Sequence, residues 1–264
     1  MAKVELNNVT QHYGVRPILH DIGLAIESGE LVTIVGPNGM GKSTLLATIA
    51  GVLSPQKGSV VIDGRRRRGS VEEELAIRRM TVYLPDDPWL PAERTGREFL
   101  LAVGRLYDVK DDRLFDHIER LLRLFDLTDR GDWPVRGYSA GQKKKIALAS
   151  ALVTEARLLL LDEPFSGGLD PSGILALKSV LKRLAEREDT TIVMTTPVPE
   201  LVEELSHRIL VLREGKVAAF DTAKGLRDLT QCHGPLAEVL ERLIRPDTLE
   251  AIEQYWEGRD GDRA

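Results

Sequence analysis

A glycine-rich segment between a predicted strand and a predicted helix carries the clearest chemical signal in the sequence. It fits the pattern G-x-x-x-x-G-K-[ST], with the residues Gly36, Pro37, Asn38, Gly39, Met40, Gly41, Lys42 and Ser43, followed by Thr44. Glycines let backbone N–H groups wrap a phosphate chain, and the helix that follows directs its positive dipole end at the same anion. The Lys42 ammonium can reach the terminal phosphates, and the Ser43 hydroxyl can bind Mg²⁺. This phosphate loop therefore predicts a site for a nucleotide with magnesium.

Two acidic residues, Asp162 and Glu163, follow a run of four leucines at 158–161. A buried parallel strand has this composition, and α/β sheets place their ligands at the carboxyl ends of such strands. There Asp162 would hold Mg²⁺, directly or through water, and Glu163 would polarise the attacking water as the catalytic residue. Without the phosphate loop, two acids at a strand end would simply face solvent. Beside that loop, they predict hydrolysis of the nucleotide.

The elements that must position these residues alternate between apolar strand segments and helical segments, which indicates an α/β fold with a mainly parallel central sheet. Strands are predicted at residues 30–35, 59–63, 80–84, 157–161, 190–195 and 207–212. Helices are predicted at residues 42–50, over most of 95–153 and after Pro171. These predictions put both the phosphate loop and the acidic pair at strand ends.

Helical periodicity also predicts which side chains are buried in two other regions. One predicted helix covers residues 113–125, and its buried face consists of Leu114, Phe115, Ile118, Leu121, Leu122 and Phe125. From residue 229 onward, two short amphipathic helices are predicted. The first carries Leu236, Val239, Leu240 and Leu243, and the second carries Leu249, Ile252, Tyr255 and Trp256.

Composition restricts the classes of protein to consider. The 264 residues include 36 Lys+Arg and 41 Asp+Glu, a net charge of −5, which argues against nucleic acid as a partner bound through overall positive charge. The single cysteine, Cys232, permits neither an internal disulfide nor a cysteine-based zinc cluster. No apolar run approaches the ~18 residues of a membrane span, and the N-terminus lacks the apolar core of a signal peptide. These features predict a cytosolic globular protein.

Three further segments resemble the ATP-binding cassette (ABC) ATPases. Tyr138-Ser139-Ala140-Gly141-Gln142-Lys143, the signature segment, resembles the LSGGQ signature of that family, and Gly168-Leu169-Asp170-Pro171 resembles its D-loop. Tyr13 lies where the family carries an aromatic residue that stacks on adenine. Together with the phosphate loop and acidic pair, these segments occur in the family's order and cover about residues 3–225.

The resemblance implies a fold, a cofactor and an assembly. The fold would be that of an ABC-type P-loop NTPase, with an N-terminal antiparallel β part and an inserted helical subdomain at about 87–153. Residues 1–228 would form the ATP-binding domain, and residues 229–264 a short C-terminal helical extension. ATP with Mg²⁺ would lie between two head-to-tail subunits, so that Ser139, Ala140, Gly141 and Gln142 face the neighbour's γ-phosphate and Asp170 lies at the dimer contact.

The family resemblance also implies a partner and a location. The chain would be the motor of a transporter whose integral membrane subunit is a separate chain, peripheral on the inner face of the cell membrane, as a homodimer or a heterodimer. The segments YLPDDPWL and ERTGREFLLAVGRLY are most similar to ABC-2-type, exporter-like subunits. In the family, the region of Trp89 receives a helix of the membrane subunit; core packing of this tryptophan is the alternative reading. The run Arg65–Arg68 is expected to be a solvated loop rather than a lipid contact.

Three positions depart from the family pattern. Asp86 replaces a glutamine that contacts Mg²⁺, and as a carboxylate it is a candidate metal ligand that cannot donate a hydrogen bond when ionised. Pro197 replaces the switch histidine and has no donor for the γ-phosphate, although Thr195 or Thr196 could offer a hydroxyl. The interval from Glu163 to Asp170 is one residue longer than usual.

These departures leave three functions open. The retained acidic pair favours ATP hydrolysis, at a reduced rate. The alternatives are a binding-only cassette paired with an active partner, and a non-transport ABC ATPase that acts as a nucleotide-dependent regulator.

Overall fold

The computed structural model describes residues 2–14 and 16–245, which form two β-sheets, helices around them and a helical insertion. The first sheet is antiparallel and has the strand order β2-β1-β4-β5. Its strands are β1 (Ala2–Tyr13), β2 (Arg16–Glu27), β4 (Lys57–Ile62) and β5 (Arg65–Arg66). This is the N-terminal antiparallel part that the family resemblance implies.

The second sheet has six strands in the order β10-β9-β3-β8-β7-β6. They are β3 (Leu31–Val35), β6 (Thr81–Leu84), β7 (Leu158–Leu161), β8 (Thr191–Thr195), β9 (Arg208–Arg213) and β10 (Lys216–Asp221). All neighbouring pairs are parallel except β9 with β10. The predicted mainly parallel sheet is confirmed, and β3, β7 and β8 are its three adjacent central strands around the site.

Nine α-helices complete the described part of the chain. They are α1 (Lys42–Ile49), α2 (Val71–Met80), α3 (Gly96–Leu106), α4 (Asp111–Leu124), α5 (Ala140–Leu152), α6 (Pro171–Ala185), α7 (Pro199–Leu205), α8 (Ala223–Thr230) and α9 (Leu236–Ile244). Helices α3, α4 and α5 form the predicted helical insertion. None of the described helices is long and apolar enough to cross a bilayer.

The central sheet separates two hydrophobic cores because successive side chains of a strand point to opposite faces. In β7, Leu158 and Leu160 pack toward α1 and the antiparallel sheet, whereas Leu159 and Leu161 pack toward α5 and the helical insertion. All four leucines are buried, so the strand is apolar along its whole length. Such a strand leaves Asp162, the next residue, at the boundary between core and site.

The predicted buried face of α4 is correct except at Phe115, whose residue surface is 54% exposed. The helix turns about 100° per residue, so Leu114, Ile118, Leu121 and Leu122 share one face and Phe115 lies beside it. The predicted apolar face was therefore one residue too wide at Phe115.

The C-terminal part of the described chain packs on the central sheet. Cys232, Leu236, Val239 and Leu240 are buried together with residues of β9 and α8. The predicted helix at Leu236 is confirmed as α9, and the second predicted helix, with Leu249, Ile252, Tyr255 and Trp256, lies outside the described residues. The division into 1–228 and 229–264 stays a prediction, and residue 228 lies inside α8.

Candidate active site

The phosphate loop connects β3 to α1 with the backbone conformation that its glycines permit. Gly41 has φ +94°, and a Cβ atom there would lie 2.8 Å from Cδ2 of Leu19. At Gly36, a Cβ atom would collide with the carbonyl oxygen of Leu212 on β9. The first hydrogen bond of α1 runs from the Leu45 N–H to the Gly41 carbonyl oxygen at 2.8 Å. The N–H groups of the first turn therefore have no carbonyl partner within the helix and point out of its N-terminus.

Lys42 lies inside the loop. Its ammonium donates to the carbonyl oxygens of Gly36 at 2.8 Å and Pro37 at 3.1 Å, and the residue is buried. Burial lowers the pKa of Lys42 from its ordinary value, and the negative charges of Glu163 and Asp162 oppose that shift. The structure thus brings together the lysine and the two acids that the sequence picked out separately.

The acidic pair is held by a residue whose role the sequence did not reveal. Thr195, the last residue of β8, donates its hydroxyl hydrogen to Oδ1 of Asp162 at 2.7 Å. The same hydroxyl oxygen accepts the N–H of Glu163 at 2.8 Å. Glu163 adopts φ +44°, a left-handed conformation that turns the chain away from the strand. The only sequence signal was the position of Thr195 at the end of a predicted strand, and the pairing of that strand, β8, with β7 was not predicted.

The hydroxyls of Thr195 and Thr196 both take part in hydrogen bonds within the chain. Thr195 binds the acidic pair, and the buried Thr196 accepts the N–H of Val198 at 3.3 Å. The hydrogen of Thr195 is therefore not free for a γ-phosphate, and the expectation is wrong for that residue. The Thr196 hydroxyl only accepts in this contact, so its role as a donor stays a prediction.

Asp86 follows β6, and its carboxylate contacts Ser166 and Lys144. Oδ1 of Asp86 accepts from the Ser166 hydroxyl at 2.6 Å and lies 3.4 Å from the Lys144 ammonium. Lys144 also donates to the Asp86 carbonyl oxygen at 3.3 Å. The proposed magnesium ligand is therefore already paired with a cation of α5.

The signature segment forms the start of α5. Ser139 accepts the N–H of Gln142 at 3.2 Å, and the Gln142 side chain accepts the N–H of Ser139 at 3.0 Å, which is a capping box. A Cβ atom at Gly141 would lie 2.7 Å from the carbonyl oxygen of Gly168. Ala140 is exposed, and Tyr138 is buried with its hydroxyl on the Arg130 carbonyl oxygen. The segment thus packs against the D-loop of its own chain.

Asp170 caps α6 and pairs with α5. Its carboxylate accepts the Gly173 N–H at 2.8 Å and a hydrogen bond from the Lys145 ammonium at 2.9 Å. The hydrogen bond from Lys145, followed by the one from the Gly173 N–H, lowers the pKa of Asp170. Asp170 is therefore a structural anchor between α5 and α6 within one chain.

The two tyrosines near the site differ in exposure. Tyr13, at the end of β1, is 57% exposed, which leaves its ring accessible to a ligand. Tyr83 on β6 is partly buried. Burial raises the pKa of Tyr83 to about 12, with further contributions from Asp162 and Tyr13. Tyr83 was not among the predicted site residues, and its place beside Asp162 follows from the pairing of β6 with β7.

Comparison with known proteins identifies the family. The family model described as ABC transporter matches residues 19–166, more than half of the chain. The chain belongs to the ABC transporter family. It is an ABC ATPase, an ATP-binding subunit of the kind that energises transport.

Relatives of this ABC ATPase share most of its length. The Nod factor export ATP-binding protein I of Rhizobium leguminosarum bv. viciae is 32% identical over 250 residues, which cover 92% of this chain and 79% of that protein. A solved ATP-binding subunit of an ABC transporter has 30% identity and a TM-score of 0.82, covering 91% of this chain and 98% of its own. A dimeric ATP-binding cassette in a post-hydrolysis state with ADP and Pi has 26% identity and a TM-score of 0.73, covering 83% of this chain and 98% of its own.

Proposed function

We propose that this ABC ATPase hydrolyses Mg-ATP at Glu163 in a head-to-tail dimer and thereby drives a membrane subunit carried on a separate chain. The observation that carries the proposal is the meeting of Lys42, which follows β3, with Asp162 and Glu163, which follow β7. The strand between them, β8, supplies Thr195, which holds both acids. A lysine for the phosphates, a carboxylate for the metal and a carboxylate for water are the parts that phosphoryl transfer to water requires.

The residues of the phosphate loop fit a triphosphate. The N–H groups at the start of α1 and the open space at Gly39, where a Cβ atom would meet nothing within 4 Å, leave room for bound phosphate oxygens. Lys42 would exchange its two carbonyl partners for those oxygens. The loop from Gly36 to Thr44 would surround the anion with backbone N–H groups, except at Pro37, which has none, and the exposed ring of Tyr13 would stack on adenine.

Ser43 and Asp162 are suited to hold Mg²⁺. No group of three or more Asp, Glu, His or Cys residues that could hold a metal occurs in residues 2–14 and 16–245. This agrees with Mg²⁺, which usually takes one or two protein oxygens and completes its shell with water and substrate phosphates. When bound, Mg²⁺ would neutralise charge on the phosphate oxygens. The hydroxyl of Ser43 and the carboxylate of Asp162 would orient it.

Glu163 would orient and polarise the water that attacks the γ-phosphate. Its backbone is fixed by Thr195, so the carboxylate starts from a defined position. At Pro197 there is no donor for the developing charge, and the loss of one such donor costs about 10²–10³ in rate. We therefore expect slow hydrolysis.

The signature segment would complete the site of a second subunit. Ser139 presents a hydroxyl at the N-terminus of α5, and Gly141 and Gln142 lie in its first turn. A helix N-terminus suits a bound phosphate, so Ser139, Ala140, Gly141 and Gln142 would face the γ-phosphate of the partner subunit, with Asp170 at the contact. The dimeric relative that holds ADP and Pi supports this arrangement.

A surface groove beside the helical insertion would receive the membrane subunit. It has a volume of about 540 Å³ and is lined by Asp87, Pro88, Trp89, Leu90, Ala92, Val135, Arg136 and Lys143. Trp89 is 81% exposed, so it is free to act as an interface anchor rather than as a core residue. This would place the protein in the cytoplasm, peripheral on the inner face of the cell membrane. The export relative favours an exporter, and the subunit pair would be a homodimer or a heterodimer.

Steady-state Mg-ATP turnover of the wild type, Glu163→Gln and the surface control Glu186→Gln tests this function across a range of protein concentrations. We expect the wild type and Glu186→Gln to turn over, with specific activity that rises with concentration, and Glu163→Gln to bind ATP without turnover. If no variant turns over although all bind ATP, the binding-only cassette is correct, an alternative that Pro197 favours.

A further inference from the structure

Lys144 of α5 is a buried cation for which the proposed mechanism has no use. The residue is only 4% exposed, and its ammonium lies 3.4 Å from Oδ1 of Asp86, 3.3 Å from the Asp86 carbonyl oxygen and 3.4 Å from Oγ of Ser166. Across the described ranges 2–14 and 16–245, Asp86 is the one carboxylate within ion-pair distance of Lys144. A buried ammonium is strongly disfavoured without a counter-ion. The burial of Lys144 therefore holds the carboxylate of Asp86 at the start of the loop after β6.

The same lysine lies beneath the segment that follows Glu163. Gly167 has φ +78°, and a Cβ atom there would lie 3.3 Å from Cδ of Lys144. The Ser166 hydroxyl donates its hydrogen to Oδ1 of Asp86 at 2.6 Å, and the Ser166 N–H donates to the carbonyl oxygen of Glu163 at 3.1 Å. Two departures from the family pattern, Asp86 and the lengthened interval 163–170, thus meet around one side chain.

We propose that Lys144 and Asp86 form a charge pair that positions the main chain of Glu163 through Ser166. Asp86 is the counter-ion of Lys144 and not a magnesium ligand. Both are positioning residues, because neither contacts the reacting atoms: the pair fixes Ser166, and Ser166 fixes the turn that begins at Glu163. The inference rests on the proposed hydrolysis at Glu163.

The chemistry of the pair also accounts for the replaced glutamine. A glutamine at position 86 would offer Lys144 an amide oxygen without a negative charge, which leaves the buried ammonium uncompensated. The carboxylate of Asp86 supplies that charge while its side chain stays 54% exposed. Asp86 therefore accepts from both Lys144 and Ser166, and its inability to donate costs nothing because both neighbours donate.

A double-mutant cycle with Asp86→Asn, Lys144→Met and the double variant tests the pair, with Lys144→Arg as the conservative variant. We expect each single substitution to lower kcat by about tenfold to a hundredfold through displacement of Glu163, with the KM for ATP and the Mg²⁺ concentration for half-maximal activity unchanged within about twofold. The double variant should lose no more than the worse single variant, and Lys144→Arg should retain most activity. Lys182→Met, which removes a cation of an exposed pair with Glu204, should match the wild type.

The unfolding temperature of each variant is measured as well, because a fall in kcat could otherwise reflect loss of the folded protein. Asp86→Asn should unfold at the lowest temperature because it leaves Lys144 buried without a counter-ion, and the double variant should recover part of that loss. Three outcomes overturn the inference: losses in kcat that multiply in the double variant, a raised Mg²⁺ requirement in Asp86→Asn alone, or a Lys144→Met variant with lowered unfolding temperature and normal kcat.

Failure of the proposed function gives a different result from failure of this inference. In that case the wild type itself does not turn over. The cycle in unfolding temperature and the Mg²⁺ dependence of ATP binding, measured with a fluorescent ATP analogue, then decide the inference: additive unfolding shifts or a Mg²⁺ requirement raised in Asp86→Asn alone overturn it.

Discussion

The hydroxyl of Thr195 lies 2.7 Å from Oδ1 of Asp162, and both residues are buried. The same oxygen accepts the N–H of Glu163 at 2.8 Å, so one side chain of β8 fixes two acids at the end of β7. The threonine hydroxyl donates one hydrogen bond and accepts another, whereas an apolar side chain of similar shape, such as valine, can make neither. The relative position of the metal carboxylate and the water carboxylate therefore depends on a neighbouring strand.

Replacing Thr195 by valine should remove the hydrogen bonds that hold Asp162 and Glu163. Valine has a similar shape but leaves Asp162 without a donor and the Glu163 N–H without an acceptor, so we expect a loss of about 1–3 kcal/mol in unfolding free energy. We also expect kcat to fall at least tenfold. Thr195→Ser keeps the hydroxyl and should retain most of the activity. Urea unfolding and steady-state turnover measure the two effects, and a valine variant with normal kcat would show that the hydroxyl does not position the acids.

Ser139 should contribute to catalysis beyond its role as a helix cap. Ser139→Ala removes the cap of α5 and should cost about 1 kcal/mol in unfolding free energy. Ser70→Ala is the matched control, since Ser70 caps α2 through the Glu73 N–H at 3.1 Å, far along the chain from the site. Both variants should lose similar stability, but only Ser139→Ala should lose turnover. Equal turnover in the two variants would show that Ser139 acts only as a helix cap.

Protonation of Glu74 should lower the stability of the folded protein in acid. Burial raises its pKa, but hydrogen bonds from the Arg78 side chain and the Arg68 N–H, with the Arg67 guanidinium, hold the pKa of Glu74 below its ordinary value near 4.5. Because the folded pKa is depressed, this stabilisation is present above about pH 4.5 and is lost as the pH falls through the folded pKa. The buried side chain of Arg67 depends on this carboxylate, so the expectation of a solvated loop at Arg65–Arg68 is wrong at Arg67.

The matched variants for that prediction are Glu74→Gln and the exposed Glu72→Gln. At pH 7, Glu74→Gln should lose about 3 kcal/mol because Arg67 stays buried without its counter-ion. Glu72→Gln should lose no more than about 0.5 kcal/mol. Denaturant unfolding between pH 7 and pH 3 should show the gap between wild type and Glu74→Gln closing below about pH 4.5; a gap that is constant with pH would contradict the assignment.

Trp89 should matter for membrane association and not for the isolated protein. Because its side chain lies largely in solvent, Trp89→Ala should change unfolding free energy by less than about 0.5 kcal/mol and leave ATP turnover unchanged. The fraction of protein recovered with the cell membrane should fall. Phe115→Ala, which removes an exposed aromatic residue of the same helical insertion, is the control and should leave that fraction unchanged. A Trp89 variant that still sediments with membranes would place the docking surface elsewhere.

The sequence predicted the features that depend on neighbours along the chain. The phosphate loop is one continuous segment, and β7 is one apolar run that ends in its two acids, so spacing alone located both. Helix α2 was not predicted because only Ile77 of its residues is buried, which leaves no apolar stripe to detect. The antiparallel sheet was implied by family resemblance and not by the pattern of its residues.

The features of the site that the sequence did not predict depend on contacts between residues that lie far apart in the chain. Thr195 lies 33 positions from Asp162, and Lys144 lies 58 positions from Asp86. No local pattern shows that Lys144 and Lys145 will be buried while Lys143 beside them stays exposed. The expectation that Asp86 is free to bind a metal depended on its surroundings, and the fold supplies a cation there.

The unequal burial of Lys144 and Asp86 also restricts how this pair can arise or disappear during evolution. Losing Lys144 first leaves a carboxylate that is half in water, which lowers kcat but costs the fold little stability. Losing Asp86 first leaves a positive charge enclosed by the protein, which selection would remove. Lineages descended from this protein should therefore exchange the lysine before the aspartate, and lineages that acquired the pair should have gained the aspartate first. Two positions far apart in the gene thus share one permitted order of change.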